Sequence, residues 1–317
     1  MGATLTLHRE AAHTHTPPQG SPFDLADEPT YQRWRAWKLA HRATHPDALL
    51  VHLADPRALS DTERAALQHR LQHHNMVLYR SPVLDADKRI PQQLAAQLGM
   101  HRLDANWLAD EDGVSSIAVS DTCDAHDGKG GFIPYTNHAI RWHTDGYYHP
   151  AERCIRGMVL HCVRQAASGG VNALLDPELA YIALRDADPA HVQALMQPSV
   201  MTIPARADDD GVARPAQTGP VFSVDADDGH LHMRYTARTR SIEWAADSAT
   251  RAAVAALQAL LADDRVGVLR TRLAPGMGLL SHNVLHDRSA FEDDASQPRL
   301  LYRARYLDRV ALRAAAW

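Results

Sequence analysis

His143 and Asp145 stand two apart in the run RWHTDGYYHP. In an extended chain residues i and i+2 face the same side, so an imidazole and a carboxylate there converge on one point. A second imidazole is available in the late run GLLSHNVLHDRSAF, which offers His282 and His286. Two histidines and one carboxylate can occupy one face of an octahedral ion and leave three positions open, the arrangement of mononuclear non-haem iron(II) centres. His-x-Asp alone is a common pairing, and the later chain makes it specific. Arg299 lies 13 residues beyond His286, in the run RLLYRARYLDR. Strand alternation there puts Arg299, Leu301, Arg303 and Arg305 on one face. A guanidinium offers a planar fork that matches a carboxylate, so an inward arginine near a metal can anchor a dicarboxylate.

These residues need strands to carry them. From about residue 115 onward short β-prone runs recur, among them SSIAVS, IRGMVLHCV, NALL, PVFSVD, HLHMRY, VGVLRTRL, GLLSHNVL and RLLYRARYL. Turn signals separate them at Gly128 to Gly131, Ser168-Gly169-Gly170, Asp227-Asp228-Gly229 and Pro275-Gly276, the texture of a β-sandwich or barrel. Helices are expected over 28–44, after a capping box of Ser60 and Glu63, over 87–98 with Pro91 in the first turn, and over 177–186 and 248–262. Met76 to Arg80 reads as a strand. The fold class is therefore mainly β with flanking helices. Residues 1–27 carry little apolar periodicity and read as a loosely ordered leader, with a single domain over 28–317.

Composition bounds the partners. The 317 residues are 45% hydrophobic and 22% charged, with a formal net charge of -5, so no basic field would gather nucleic acid or acidic membrane. No apolar run approaches the roughly 20 residues of a membrane span. Cys123, Cys154 and Cys162 are an odd set without a signal segment before them, which reads as reduced thiols in the cytoplasm. A small molecule is the expected partner, and a homo-oligomer is left open. With twenty histidines in the chain, no single one is evidence of a site, and spacing must select.

Taken together, Trp142-His143-Thr144-Asp145, Gly169-Gly170, Leu285-His286-Asp287-Arg288 with Phe291, and Arg299 followed by Arg303 resemble the taurine dioxygenase (TauD/TfdA-type) superfamily, including its clavaminate synthase and glutarate hydroxylase branches. The resemblance covers about half the chain with its motifs in order. It implies a double-stranded β-helix (jelly roll) and an oxygenase using Fe(II), 2-oxoglutarate and O2, with succinate and carbon dioxide released as the substrate is oxidised. It implies His143, Asp145 and His286 as ligands, His286 being preferred over His282 for its His-x-Arg context. Arg299 would bind the distal carboxylate of 2-oxoglutarate, and Arg303 would lie near its metal-bound carboxylate or the substrate. The family often has Thr or Ser two residues after the paired glycines as a donor to the cosubstrate; this chain has Asn172, whose amide can also donate.

Two other readings use the same ligands. A zinc hydrolase explains the triad but leaves Arg299 and its strand without a role, and a non-catalytic metal-binding relative would need no cosubstrate anchor. On the substrate, the distal segment is closest to the glutarate hydroxylase branch, which points weakly to a small carboxylate or an amino acid. Arg303 and Arg305 would add a positive charge that an anionic substrate could match, unless Arg305 pairs with an acid such as Asp308. Tyr147 and Tyr148 are candidates for pocket lining, Tyr148 the better one, with packing beside the strand as the default. Arg234 and Arg238 could meet a substrate anion, with surface placement as the default. Trp34, Trp37 and Trp107 read as core or lid, and Asn137 either as part of a loop entering the site or as a turn residue.

Overall fold

The computed structural model describes residues 20–104, 110–119, 132–208, 211–238 and 242–312. Local chemistry accounts for most of the helices. Asp27 caps Glu28–His41 by accepting from the Thr30 N–H. Ser60 and Glu63 close a full capping box on Asp61–His74, which Asn75 ends in the left-handed region at φ 56°. Asp176 and Asp247 cap Pro177–Ala187 and Ser248–Leu261 in the same manner. One helix, Pro189–Leu195, was not anticipated from periodicity, although its Asp188-Pro189 start is a standard signal.

Two sheets form the centre. The larger has six strands in the order Leu50–His52, Met76–Arg80, Met277–Ser281, Gly157–Arg164, Leu300–Tyr306, Ser115–Ile117, antiparallel except for the first pair. The smaller has four antiparallel strands in the order Leu269–Thr271, Asn172–Leu175, Leu285–Arg288, Ile140–His143. Alternation assigns each face of the large sheet. Val77, Tyr79, Val159, Leu280, Tyr302 and Ala304 pack with Leu67, Leu71 and Leu94 of the helices Asp61–His74 and Arg89–Ala96. The opposite face supplies Leu78, Met158, Leu279 and Leu301, which share a core with Leu174 and Leu269 of the small sheet. The expected face of Arg299, Leu301, Arg303 and Arg305 is therefore the one turned toward the second sheet.

Several expectations change in detail. The apolar run 278–285 does not make one strand. Met277–Ser281 lies in the large sheet and Leu285–Arg288 in the small one, and the chain crosses between them at His282-Asn283, with Asn283 at φ 55°. The break falls at the polar step Ser281-His282-Asn283, and Leu285 beyond it joins a different apolar cluster from Met277 and Leu279. Ordered packing also starts before residue 28: Phe23 is buried edge-on to Trp34 and Tyr181 at 5.0 and 5.3 Å. Trp34 is core and Trp37 packs at its edge, while Trp107, Cys123 and the Gly128 to Gly131 turn lie outside the described residues. Cys154 and Cys162 are free thiols. No described helix is long and apolar enough to cross a membrane.

Candidate metal centre

The small sheet brings the histidines together by register. His286 sits directly opposite His143 across the antiparallel pair Leu285–Arg288 and Ile140–His143, and their ring centroids are 4.2 Å apart. On the other side of Ile140–His143, an isolated bridge to Thr236 and the bond from Ala237 N–H to Trp142 O at 2.8 Å stitch the segment to residues 235–237. Thr144 points away from the centre: it is fully buried, and its hydroxyl accepts from the Tyr235 N–H at 3.1 Å. Its neighbours His143 and Asp145 thus share the other side. The strand ends at His143, however, and Asp145 opens a turn. Gly146 makes that turn at φ 68°, and a Cβ there would meet Ile155 Cγ1 at 2.4 Å, so only glycine allows the chain to double back so closely.

Ligand atoms of His143, Asp145 and His286 all lie within 4.8 Å of one another, the only such His/Cys/Asp/Glu group among the described residues. The Nδ1 of His143 is 2.9 Å from Arg141 O, and that of His286 is 2.9 Å from Val284 O. Each Nδ1–H therefore donates to a carbonyl two residues back, which sets the tautomer and leaves Nε2 with its lone pair. Burial, aided by the adjacent His286 ring, pushes His143 down to about 3, so it is neutral at pH 7. Burial by itself would raise the Asp145 carboxyl, but Arg303, Arg305 and the two histidines outweigh it and hold it below the usual carboxylate range. Asp145 Oδ1 accepts from Arg303 Nη1 at 3.2 Å, while Oδ2 is buried with no hydrogen-bond partner. An ionised buried oxygen without a partner is costly. Facing two imidazole lone pairs, it fits a divalent cation.

His282 is not in this group. It is buried elsewhere, with Nδ1 2.9 Å from Arg309 Nη2 and 3.3 Å from Asn75 Oδ1. Nothing in the periodicity marks Asn283, the residue beside it. Its Oδ1 accepts from the Asp145 N–H at 2.7 Å, and its Nδ2 donates to Asp145 O and Ile155 O at 2.9 and 2.7 Å. Asn283 is the brace that holds the Asp145 turn against the inter-strand crossing. Asn283→Ala should strand those backbone groups and cost about 1 to 3 kcal/mol. We expect weaker Fe(II) binding than wild type at a temperature where both remain folded, measured by titration beside denaturant unfolding. Unchanged iron affinity would limit Asn283 to a role in stability.

Asn172 and Arg299 line one cleft with Gly169, Gly170 and Leu301. Arg299 is 5% exposed. Its guanidinium lies 4.9 Å from the Phe291 ring centroid and forms no ion pair or side-chain hydrogen bond among the described residues. Gly169 and Gly170, both at φ 68°, let the chain pass against Ala290 and Phe291, where a Cβ on Gly169 would meet Ala290 O at 2.2 Å. Arg288 is spent on a loop: its Nη2 donates to Thr136 O at 2.8 Å and also to His138 O, and the Phe291 N–H donates to Asn137 O at 3.1 Å. Asn137 therefore belongs to a loop pinned beside the His286 strand.

Two arginine expectations are corrected. Arg305 is neither a spare charge nor a partner of Asp308. Its Nη2 pairs with the buried Asp104 at 2.6 Å and its Nη1 donates to Tyr148 Oη at 3.1 Å, while Asp308 binds Arg102. Arg234 is not at the surface. It is 8% exposed, and its guanidinium donates to Tyr147 O, Met201 O and Gln217 O at 2.8, 3.2 and 2.7 Å.

The described sheets thus gather two imidazoles and one carboxylate into a group that could hold one metal ion with further positions open. A family model for the taurine catabolism dioxygenase TauD, TfdA family matches residues 39–305, and the chain belongs to that family. It is 36% identical over 176 residues to a uridine-5'-phosphate dioxygenase from an Amycolatopsis species, covering 53% of this chain and 60% of that protein. It is 34% identical over 182 residues to a uridine-5'-phosphate dioxygenase from a Streptomyces species, covering 54% and 62%. The chain thus spans about three fifths of the length of these curated relatives. Its fold is similar to that of an asparagine oxygenase solved with Fe(II), 2S,3S-3-hydroxyasparagine and succinate, at TM-score 0.53 and 17% identity over 93% of this chain and 87% of the other.

Proposed function

We propose that this chain is an Fe(II)- and 2-oxoglutarate-dependent dioxygenase that hydroxylates a small organic substrate, with its two sheets forming a jelly roll and residues 28–317 one oxygenase domain. The observation that carries the reading is the gathering of ligand atoms of His143, Asp145 and His286 within 4.8 Å of one another, with Asp145 Oδ2 buried and unpartnered, in a chain of this family. The three side chains would hold the metal, and Arg303 would orient Asp145 by occupying its other oxygen. Arg299 would take the distal carboxylate of 2-oxoglutarate, with the Asn172 amide donating from the same cleft. Bound Fe(II) supplies the redox chemistry: one oxygen atom of O2 goes to succinate as carbon dioxide leaves, and the other goes to the substrate. A zinc hydrolase would have no use for the buried, unpaired Arg299.

For the substrate, the glutarate-like reading of the last strand loses its extra charge, because Arg305 is committed to Asp104. The matched relatives are uridine-5'-phosphate dioxygenases, which makes a phosphorylated nucleoside the first substrate to try. The test is anaerobic reconstitution with Fe(II) and 2-oxoglutarate, exposure to air, and measurement of succinate over a panel of nucleotides, amino acids and small carboxylates. Substrate-stimulated succinate is the expected result. Tight zinc binding with no 2-oxoglutarate consumption under any condition would overturn the oxygenase reading.

A further inference from the structure

In the helix Asp61–His74, His69 and His73 stand one turn apart, and side chains four residues apart on a helix are neighbours on one face. Their rings lie 4.3 Å apart, centroid to centroid, at 36°. The helix Glu28–His41 ends beside them, and the ring of its last residue, His41, is 5.0 Å from that of His73 at 44°. The two rings of the metal centre, His143 and His286, sit at 4.2 Å and 49°. The stack thus repeats, with His41 and His69 exposed and His73 half-buried, the spacing of two imidazoles placed to share an ion. Trp37 lies against it, its ring 5.2 Å from both His41 and His73.

Hydrogen bonds set the donor atoms much as they do at the metal centre. His41 Nδ1 is 2.7 Å from Trp37 O and His73 Nδ1 is 2.7 Å from His69 O, so each Nδ1–H donates to a carbonyl one turn back and Nε2 keeps its lone pair. His69 differs. Its Nδ1 accepts from Arg70 Nη1 at 3.1 Å, so its lone pair is on Nδ1, and an ion bound there replaces one exposed hydrogen bond. Burial, then the neighbouring His73 and Arg70, lower the pKa of His69, which favours the neutral ring that a metal needs. The surroundings also suit a cation. His41 and His73 occupy the last turns of their helices, where free carbonyls carry the negative end of the dipole. Lys38, three residues before His41, is already paired with Asp176 at 2.6 Å and with Glu178. Ligand atoms of the three rings are spread more widely than the 4.8 Å of the metal centre, and rotation of the exposed His41 and His69 about χ1 and χ2 gathers them.

We propose that His41, His69 and His73 form a second metal site, which takes zinc or another late divalent transition ion and ties the last turn of one helix to the last turn of the other. Imidazole suits those ions, and a neutral set of three histidines holds iron(II) less tightly than zinc. Water completes the coordination on the exposed side. His74, the next residue, is outside the set: its ring is 6.0 Å from that of His73, and burial pushes its pKa down to about 3. The site shares no residue with His143, Asp145 and His286, and it does not rest on the dioxygenase reading.

The test is zinc binding to the full chain, measured by competition with a chromophoric chelator. Two hosts are used: wild type, and His286→Ala, whose iron centre has lost a ligand. In each host His73→Asn should bind one zinc ion fewer, and His69→Asn or His41→Asn should weaken the same ion. Zinc should raise the unfolding midpoint of the His286→Ala chain by more than it raises that of His286→Ala combined with His73→Asn. His74→Asn is the control and should keep the ion. A folded His73→Asn protein with the zinc count and affinity of its host overturns the site, as does loss of the ion in His74→Asn with retention in His73→Asn. Full retention in His41→Asn with loss in His73→Asn confines the ion to one helix and overturns the tie between the two. Should His73→Asn fail to fold, the exposed positions decide, and unchanged zinc binding in both His69→Asn and His41→Asn overturns the site. Absence of 2-oxoglutarate turnover in wild type would strike the dioxygenase reading alone.

Discussion

Replacement of His143, Asp145 or His286 by alanine, one at a time, is expected to abolish both binding of about one Fe(II) per chain and turnover. Each substitution removes one of three donors from a group whose atoms lie within 4.8 Å of one another. Three protein donors are the whole of a facial set, and two retain the ion poorly. Metal loss is read on protein that is still folded. Asp145→Ala also leaves the largely buried Arg303 guanidinium without its carboxylate, so it should lower the apo-protein's unfolding midpoint as well as remove the metal. His282→Ala is the control: its ring bonds Arg309 and Asn75, so it should cost stability and spare the iron. Loss of iron in His282→Ala with retention in His286→Ala would reverse the ligand assignment.

Arg299→Ala should weaken 2-oxoglutarate binding by about ten- to a hundredfold, from loss of a charge-assisted contact worth about 1.5 to 3 kcal/mol. The reason for a value near the upper end is burial: the guanidinium is 5% exposed and without an acid partner, so the cosubstrate carboxylate would meet a charge already stripped of water. Titration of the charge-transfer band with 2-oxoglutarate under nitrogen reads the constant directly. Iron affinity should be unchanged, because Arg299 lines the Asn172 cleft and makes no contact with Asp145. Unaltered 2-oxoglutarate affinity would move the anchor to Arg303, whose substitution should disturb Asp145 and iron together.

Local patterns in the chain determined much of this molecule. The capping box at Ser60 and Glu63, the strand Met76–Arg80 and the helices Pro177–Ala187 and Ser248–Leu261 follow from short-range rules. Alternation in the last strand placed Tyr302 and Ala304 on one face and the arginines on the other, because a strand's period needs no knowledge of its partners. The pairing of His143 with Asp145 was legible for the same reason, through spacing along one stretch of chain.

Only the tertiary structure decided what crosses between stretches. That His286 stands opposite His143 depends on which strands pair and in what register, and that information lies in the whole packed core. The crossing at Asn283, which braces the Asp145 turn, exists because the flanking strands join different sheets, and sheet membership is set by pairing and not by local pattern. Charge partners were the least legible. An arginine can be satisfied by any acid or carbonyl that the fold brings within about 3 Å. Hence Arg305 went to Asp104, some 200 positions away in sequence, and Arg234 to three carbonyls. Sequence determined which residues could do chemistry, since identity and short spacing are local properties. Long-range packing determined which of their charges remain free to do it.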